Sequence, residues 1–117
     1  MRILCTLLVT TTLAAAIPAQ AAETPYPVRP IRLVVPQAPG GSNDIMARYV
    51  ALSLGDKLGR QIVVDNRPGA EGAIGTELVA RATPDGYTLL MASSAFTMNP
   101  AVRKLPYDPV QIGRAHV

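Results

Sequence analysis

Residues 34–50 read VVPQAPGGSNDIMARYV, and the change of pattern inside this stretch decides the fold. Apolar Ile31, Leu33, Val34 and Val35 run into Pro36; a polar loop with paired glycines follows, and a helical apolar pattern then begins. Strand, glycine-rich turn and helix together form an arrangement in which helix-terminal amides can meet an anion. Gly40 and Gly41 let the backbone bend tightly and approach a ligand closely. The amides of Gly41, Ser42 and Asn43 then face outward at the positive end of the helix dipole, which suits a carboxylate or phosphate. Ser42 and Asn43 add side-chain donors. The loop has no Lys-Ser/Thr pair and is not G-x-G-x-x-G, so it reads equally as an ordinary βα turn with a Ser or Asn cap. Asp44 favours the dipole but repels an anion. A structural cap pointing away is the preferred reading over one in which it holds a donor group or water.

Outward from this stretch the same theme repeats. Strands are predicted at 31–36, 61–65 and 87–92, and helices at 43–58 and 73–82. The first helix shows Ile45, Tyr49 and Leu52 on one stripe, with Met46, Val50 and Leu54 beside it. Ser42 or Asn43 can cap its start, and Gly59 suits its end. In the second helix Ile74, Leu78 and Val79 are expected to face inward. Residues 66–72 and 83–86 carry turn chemistry, 93–100 is a polar loop or short helix, and 23–30 is an extended, exposed lead-in. The order is β-α-β-α-β. Strands this apolar are usually buried on both faces of a parallel sheet. Right-handed crossovers then bring loops 37–43, 66–73 and 93–100 to one edge, where open α/β sheets bind ligands.

Two of these loops carry alternatives. Arg67 in NRPGAEGAIG reads as a carboxylate clamp or as a surface residue in a turn with Pro68 and Gly69; the surface reading is preferred. The hydroxyls of Ser93, Ser94 and Thr97 follow a buried strand directly and either orient a small acid or cap a turn.

The ends of the chain read differently from its body. Residues 1–22 have the pattern of a secretory signal peptide, with Arg2, an acid-free apolar run, Pro18 and cleavage after Ala21. The apolar run is shorter than the roughly 20 residues of a membrane span. Cys5, the one cysteine, falls inside it, so 22–110 offers no disulfide or thiolate. The terminal QIGRAHV matches codons that contain the start of a common sequencing adapter, so 111–117 is expected to be translated adapter. His116, the one histidine, therefore carries no functional weight. Between these ends nine Lys or Arg face eight Asp or Glu, with no basic block and no Trp, which excludes a nucleic-acid footprint. There is no Ser-His-Asp set, metal-ligand cluster or close carboxylate pair, so neither an enzyme nor a cofactor is expected.

The phrases YPVRPIRLVVPQAPGGSNDIMAR, LGRQIVVDNRPGAEGAIGTELVARATPDGYTLLMAS and NPAVRKLPYDPV stand in this order. Together they resemble the N-terminal part of the Bug/TctC family, the extracytoplasmic substrate-binding proteins of tripartite tricarboxylate transporters. The resemblance covers residues 26–110. It implies an α/β fold: the N-terminal part of one lobe of a two-lobed Venus-flytrap periplasmic binding protein, type II-like. Such a protein clamps a small organic acid (a di- or tricarboxylate, an acidic amino acid or an aromatic acid) and presents it to membrane transporter subunits. The resemblance places Pro39, Gly40, Gly41, Ser42, Asn43 and Asp44, with the loop holding Ser93, Ser94 and Thr97, in the ligand cleft. Gln37 departs from the aromatic or small apolar residue commoner at its position. Family chains are much longer, so 22–110 is expected to supply one wall of the cleft. Alone it is expected to fold poorly or aggregate and to bind without useful affinity. The alternatives are a secreted α/β enzyme such as a hydrolase, with its catalytic residues beyond 110, and a free-standing interaction domain.

Overall fold

The computed structural model describes residues 25–110 and residue 112. The signal-peptide reading and, apart from Ile112, the adapter reading lie outside the described residues. The elements are β1 (Ile31–Val35), α1 (Ser42–Leu58), β2 (Ile62–Asn66), a 3-10 turn (Ala70–Gly72), α2 (Ala73–Ala80), β3 (Thr88–Leu90) and α3 (Ser94–Val102). The strands form one parallel sheet in the order β2-β1-β3. Ile31 pairs with Ile62 and Val35 with Asn66, while Arg32 pairs with Thr88 and Val34 with Leu90. The expected β-α-β-α-β order is therefore present, and the stretch after β3 is a helix. That helix runs through Pro100 to Val102. A proline this late in a helix leaves only the carbonyl four residues earlier without its partner.

Strand alternation sets the two layers. Ile31, Leu33 and Val35 face α1, where they form the core with Ala47, Ala51 and Ile62. Val34, on the opposite face, is fully buried, and α2 packs against β1. Gly75 makes that approach possible. A Cβ there would lie 2.8 Å from the Arg67 carbonyl oxygen and 2.9 Å from Pro36 Cβ.

Two expectations need correction. The apolar stripes read from α1 are largely on its outside: Ile45, Met46, Tyr49, Val50 and Leu52 are exposed, Leu52 at 70%. The buried face is Asp44, Ala47 and Ala51, continued by partly buried Leu54 and Leu58. Small alanines let the helix approach the β-branched sheet closely, and a helix apolar on most sides gives periodicity no single face to select. In α2 the buried residues are Ala73, Gly75 and Thr76, whereas Ile74 is exposed and Leu78 and Val79 are half-buried. The lead-in is exposed as expected, with Pro27 alone buried among its described residues, and it is also tied to the turn before β3. Tyr26 donates its hydroxyl to the Gly86 carbonyl at 2.6 Å, Tyr26 and Tyr87 stack edge-on, and Arg29 lies 4.2 Å above the Tyr87 ring. Gly59 closes α1 in the left-handed region, as its sequence position indicated. Among the described residues no helix is long and apolar enough to cross a membrane.

Candidate functional site at the carboxyl edge of the sheet

Because all three strands are parallel, their carboxyl ends share one edge, and the segments after Val35, Asn66 and Leu90 leave from it. The first is 36–41, leading into α1. Gly41 is the N-cap residue, and among the described residues no side chain caps the helix. The expected Ser42 or Asn43 cap is thus absent: both residues lie inside the first turn. The N–H groups of Ser42, Asn43 and Asp44 consequently have no acceptor within the helix.

Asp44 explains how the loop keeps its shape. Its carboxylate is buried, 3% exposed, and turned toward the protein. Oδ2 accepts from the Gly40 amide at 2.9 Å and from Arg48 Nε at 3.0 Å, while Oδ1 accepts from Asn66 Nδ2 at 3.1 Å. The hydrogen bond from Arg48, then that from Gly40, lowers its pKa to about 2 against the opposing effect of burial. Asp44 thus points away from the edge, as the preferred reading has it, but it acts as the acceptor for Gly40, Arg48 and Asn66 and not as a cap of the helix. Asn66 also donates to the Gln37 carbonyl at 3.2 Å, so it ties β2 to the first loop at two points. Asn43 Nδ2 is enclosed without a hydrogen-bond partner.

The second segment, 67–72, is strained. Ala70 and Glu71 both adopt left-handed backbone angles, φ 46° and 54°. Left-handed geometry costs a residue with a Cβ about 1–2 kcal/mol. Contacts from α3 oppose that cost. Asn99, itself buried, donates from Nδ2 to the Glu71 carbonyl at 3.2 Å. Arg103 donates to the Ala70 carbonyl at 3.3 Å and pairs with the Glu71 carboxylate. Gly72 lies against the start of the first loop, where an added Cβ would stand 3.3 Å from Pro36. Arg67 is half-exposed and its Nε reaches Asp65 at 3.0 Å, in line with the surface reading. Burial raises the pKa of Asp65, but hydrogen bonds from Arg32 and Arg67 outweigh it, and the net shift is downward.

The third segment ends in Ser93, the N-cap residue of α3, again without a side-chain cap. Ser94 opens the helix. Thr97 donates its hydroxyl to the Ser94 carbonyl at 2.9 Å, so its proton is engaged within the helix. The edge therefore unites the first and second segments through Asn66 and Gly72, and the second with α3 through Asn99 and Arg103. Among the described residues no hydrogen bond joins Ser93, Ser94 or Thr97 to Pro39–Asp44. Sequence reading passed over Asn66, Asn99 and Arg103. Asn66 had a signal, since strand alternation puts it on the same face as Ile62 and Val64, the side covered by α1. Asn99 and Arg103 act across 28 or more residues and have no local one. A groove of about 630 Å³ between α1 and β2, lined by Arg48, Asp56, Arg60 and Ile62, lies along the helix rather than at the edge. No group of three or more potential metal ligands occurs among the described residues.

Comparison with known proteins bears on what such an edge does. Residues 46–113 match the family described as tripartite tricarboxylate transporter family receptor. Protein BugT of Bordetella pertussis is 45% identical over 98 residues, 84% of this chain and 30% of BugT. The solved periplasmic binding protein BugD superposes with a TM-score of 0.69 at 48% identity, over 72% of this chain and 28% of BugD. The Rhodopseudomonas palustris protein Rpa4515, solved with adipate, superposes with a TM-score of 0.69 at 36% identity, over 73% of this chain and 29% of that protein. The chain thus spans about 30% of the length of the relatives it matches. Matched over more than half its length and 45% identical to BugT, the chain belongs to the tripartite tricarboxylate transporter receptor family.

Proposed function

We propose that this chain supplies one wall of the ligand cleft of a periplasmic solute-binding protein, and that the solute is a small dicarboxylate. The observation that carries the reading is the uncapped N-terminus of α1 at the carboxyl edge, with the Asp44 carboxylate turned inward. Uncapped amides there suit an incoming carboxylate. With its charge drawn inward by Gly40, Arg48 and Asn66, Asp44 shapes the loop without blocking it. Pro39, Gly40, Gly41, Ser42 and Asn43 form the approach to these amides. Ser93, Ser94 and the start of α3 form a second flank, and Thr97 stiffens it from within. Rpa4515, of similar fold, holds adipate, which supports a linear dicarboxylate ahead of the wider set of acids. The family assignment favours capture and delivery to membrane transporter subunits over the hydrolase alternative.

The test completes the cleft, because one wall cannot bury most of a ligand. Residues 25–110 replace the matching segment of Rpa4515, and binding of adipate is measured by calorimetry beside amide spectra of the same chimera. The expected results are one-to-one binding by the chimera, and adipate-dependent shifts of the Ser42 and Asn43 amides that hexanediol does not produce. A cooperatively folded chimera that binds neither adipate nor a shorter dicarboxylate overturns the reading.

A further inference from the structure

We infer that Asn99 and Arg103 are positioning residues for the binding edge: they hold the strained Ala70–Gly72 turn and thereby set how the first loop lies. The inference rests on the proposed carboxylate reading for its purpose, but on this structure for its geometry. Two successive residues with side chains, Ala70 and Glu71, are left-handed. Such conformations persist where surrounding contacts over-determine them, and they concentrate at functional sites.

The contacts here are long-range and act on the backbone of the turn. Asn99 Nδ2 takes the Glu71 carbonyl, Arg103 takes the Ala70 carbonyl, and the same guanidinium pairs with the Glu71 side chain. One residue later, Gly72 and Pro36 meet so closely that a Cβ on Gly72 would press on both the Pro36 ring and its carbonyl oxygen. Pro36 leads directly into the loop that ends at the uncapped N-terminus of α1. A contiguous path thus runs from α3 through the turn to that loop. Asn99 is buried and Arg103 is about one-third exposed, so neither needs to touch the solute.

The test compares the 117-residue chain with its Asn99→Asp, Arg103→Gln and Arg103→Lys variants. Asn99→Asp preserves volume but removes the amide donor. Arg103→Gln sits at a more exposed position and keeps the test usable if burial of a new charge prevents folding. Amide hydrogen exchange is read at Gly72 and Ala73 in the 70–73 segment, whose N–H groups donate to Gly69 and Ala70, at Gly40, whose N–H donates to Asp44, and, as the internal reference, in β1; adipate-induced amide shifts are read on the chimera carrying the same substitutions. Asn99→Asp and Arg103→Gln should each speed exchange at 70–73 by about fivefold or more, the factor carried by one lost hydrogen bond. The increase should extend to the Gly40 amide and leave β1 unchanged, and the response of Ser42 to adipate in the chimera should weaken. Arg103→Lys should restore neither, since one ammonium cannot reproduce the guanidinium fork. Unchanged exchange at 70–73, or faster exchange confined to α3, overturns the inference. So do variants that answer adipate as the wild type does. A cooperatively folded chimera that binds neither adipate nor a shorter dicarboxylate removes the carboxylate reading instead; the exchange data then decide the positioning role alone.

Discussion

Asp44 titrates in a direction that the structure fixes. Its pKa is about 2 in the folded chain against an ordinary value of 3.8. Between these values the unfolded chain binds more protons, so this stabilisation is complete above pH about 4 and is lost as pH falls toward 2. The urea midpoint of the chain should therefore fall across that window, and Asp44→Asn should flatten the dependence while lowering the midpoint at neutral pH. An unchanged acid limb in Asp44→Asn would sink this account. Gly75 gives a second, opposite lesson. Alanine is intrinsically the better helix residue, yet its Cβ would overlap the Arg67 carbonyl and Pro36, both parts of rigid backbone. Gly75→Ala is expected to destabilise by about 1–3 kcal/mol, the usual cost of overpacking, as read by denaturant melts. The inward turn of Asp44 was legible in the sequence because its alternatives were few: an acid in a first turn serves the protein's own structure or a ligand. The clamp on Ala70 and Glu71 was not legible, since its donors come from another helix and nothing local in NRPGAEG announces them.

The helix α1 shows where pattern reading stops. Its length, its glycine terminator and its place after a short strand follow from the sequence, as do the parallel strands on either side. Its orientation does not, because Ile45, Tyr49 and Leu52 outweigh Ala47 and Ala51 in any hydrophobic count. The sheet selects by shape, and alanine permits the closest approach. Two substitutions separate these faces. Leu52→Ser, on the exposed side, should change stability by no more than about 0.5 kcal/mol. Ala47→Leu, fully buried against β1, should cost about 1–3 kcal/mol through overpacking. Thermal melts of both variants check this, and a larger loss for Leu52→Ser would mean that the stripe read from sequence is the packed one.

The molecule carries its apolar surface unevenly. Tyr49, Leu52, Val63 and Ile74 are exposed, and among the described residues β2 and β3 each leave one strand edge unpaired. Contiguous apolar surface and open edges drive association in water. The isolated chain should therefore self-associate with rising concentration in sedimentation runs. Leu52→Lys should reduce that association without lowering the melting temperature; an invariant monomer would show that these surfaces are too dispersed to pair.

The central place of β1 has a consequence for how the chain is made. Among the described residues, the first strand to leave the ribosome is the one that is flanked on both sides, and its neighbours arrive later: Ile31 waits for Ile62, and Arg32 for Thr88. Until then its most apolar residues have no lasting partner, and a growing chain cannot close its sheet early. Non-local pairing of this kind slows folding. It keeps this part of the nascent chain open until Thr88–Leu90 has emerged, a window in which an escorting chaperone has an extended apolar segment to hold.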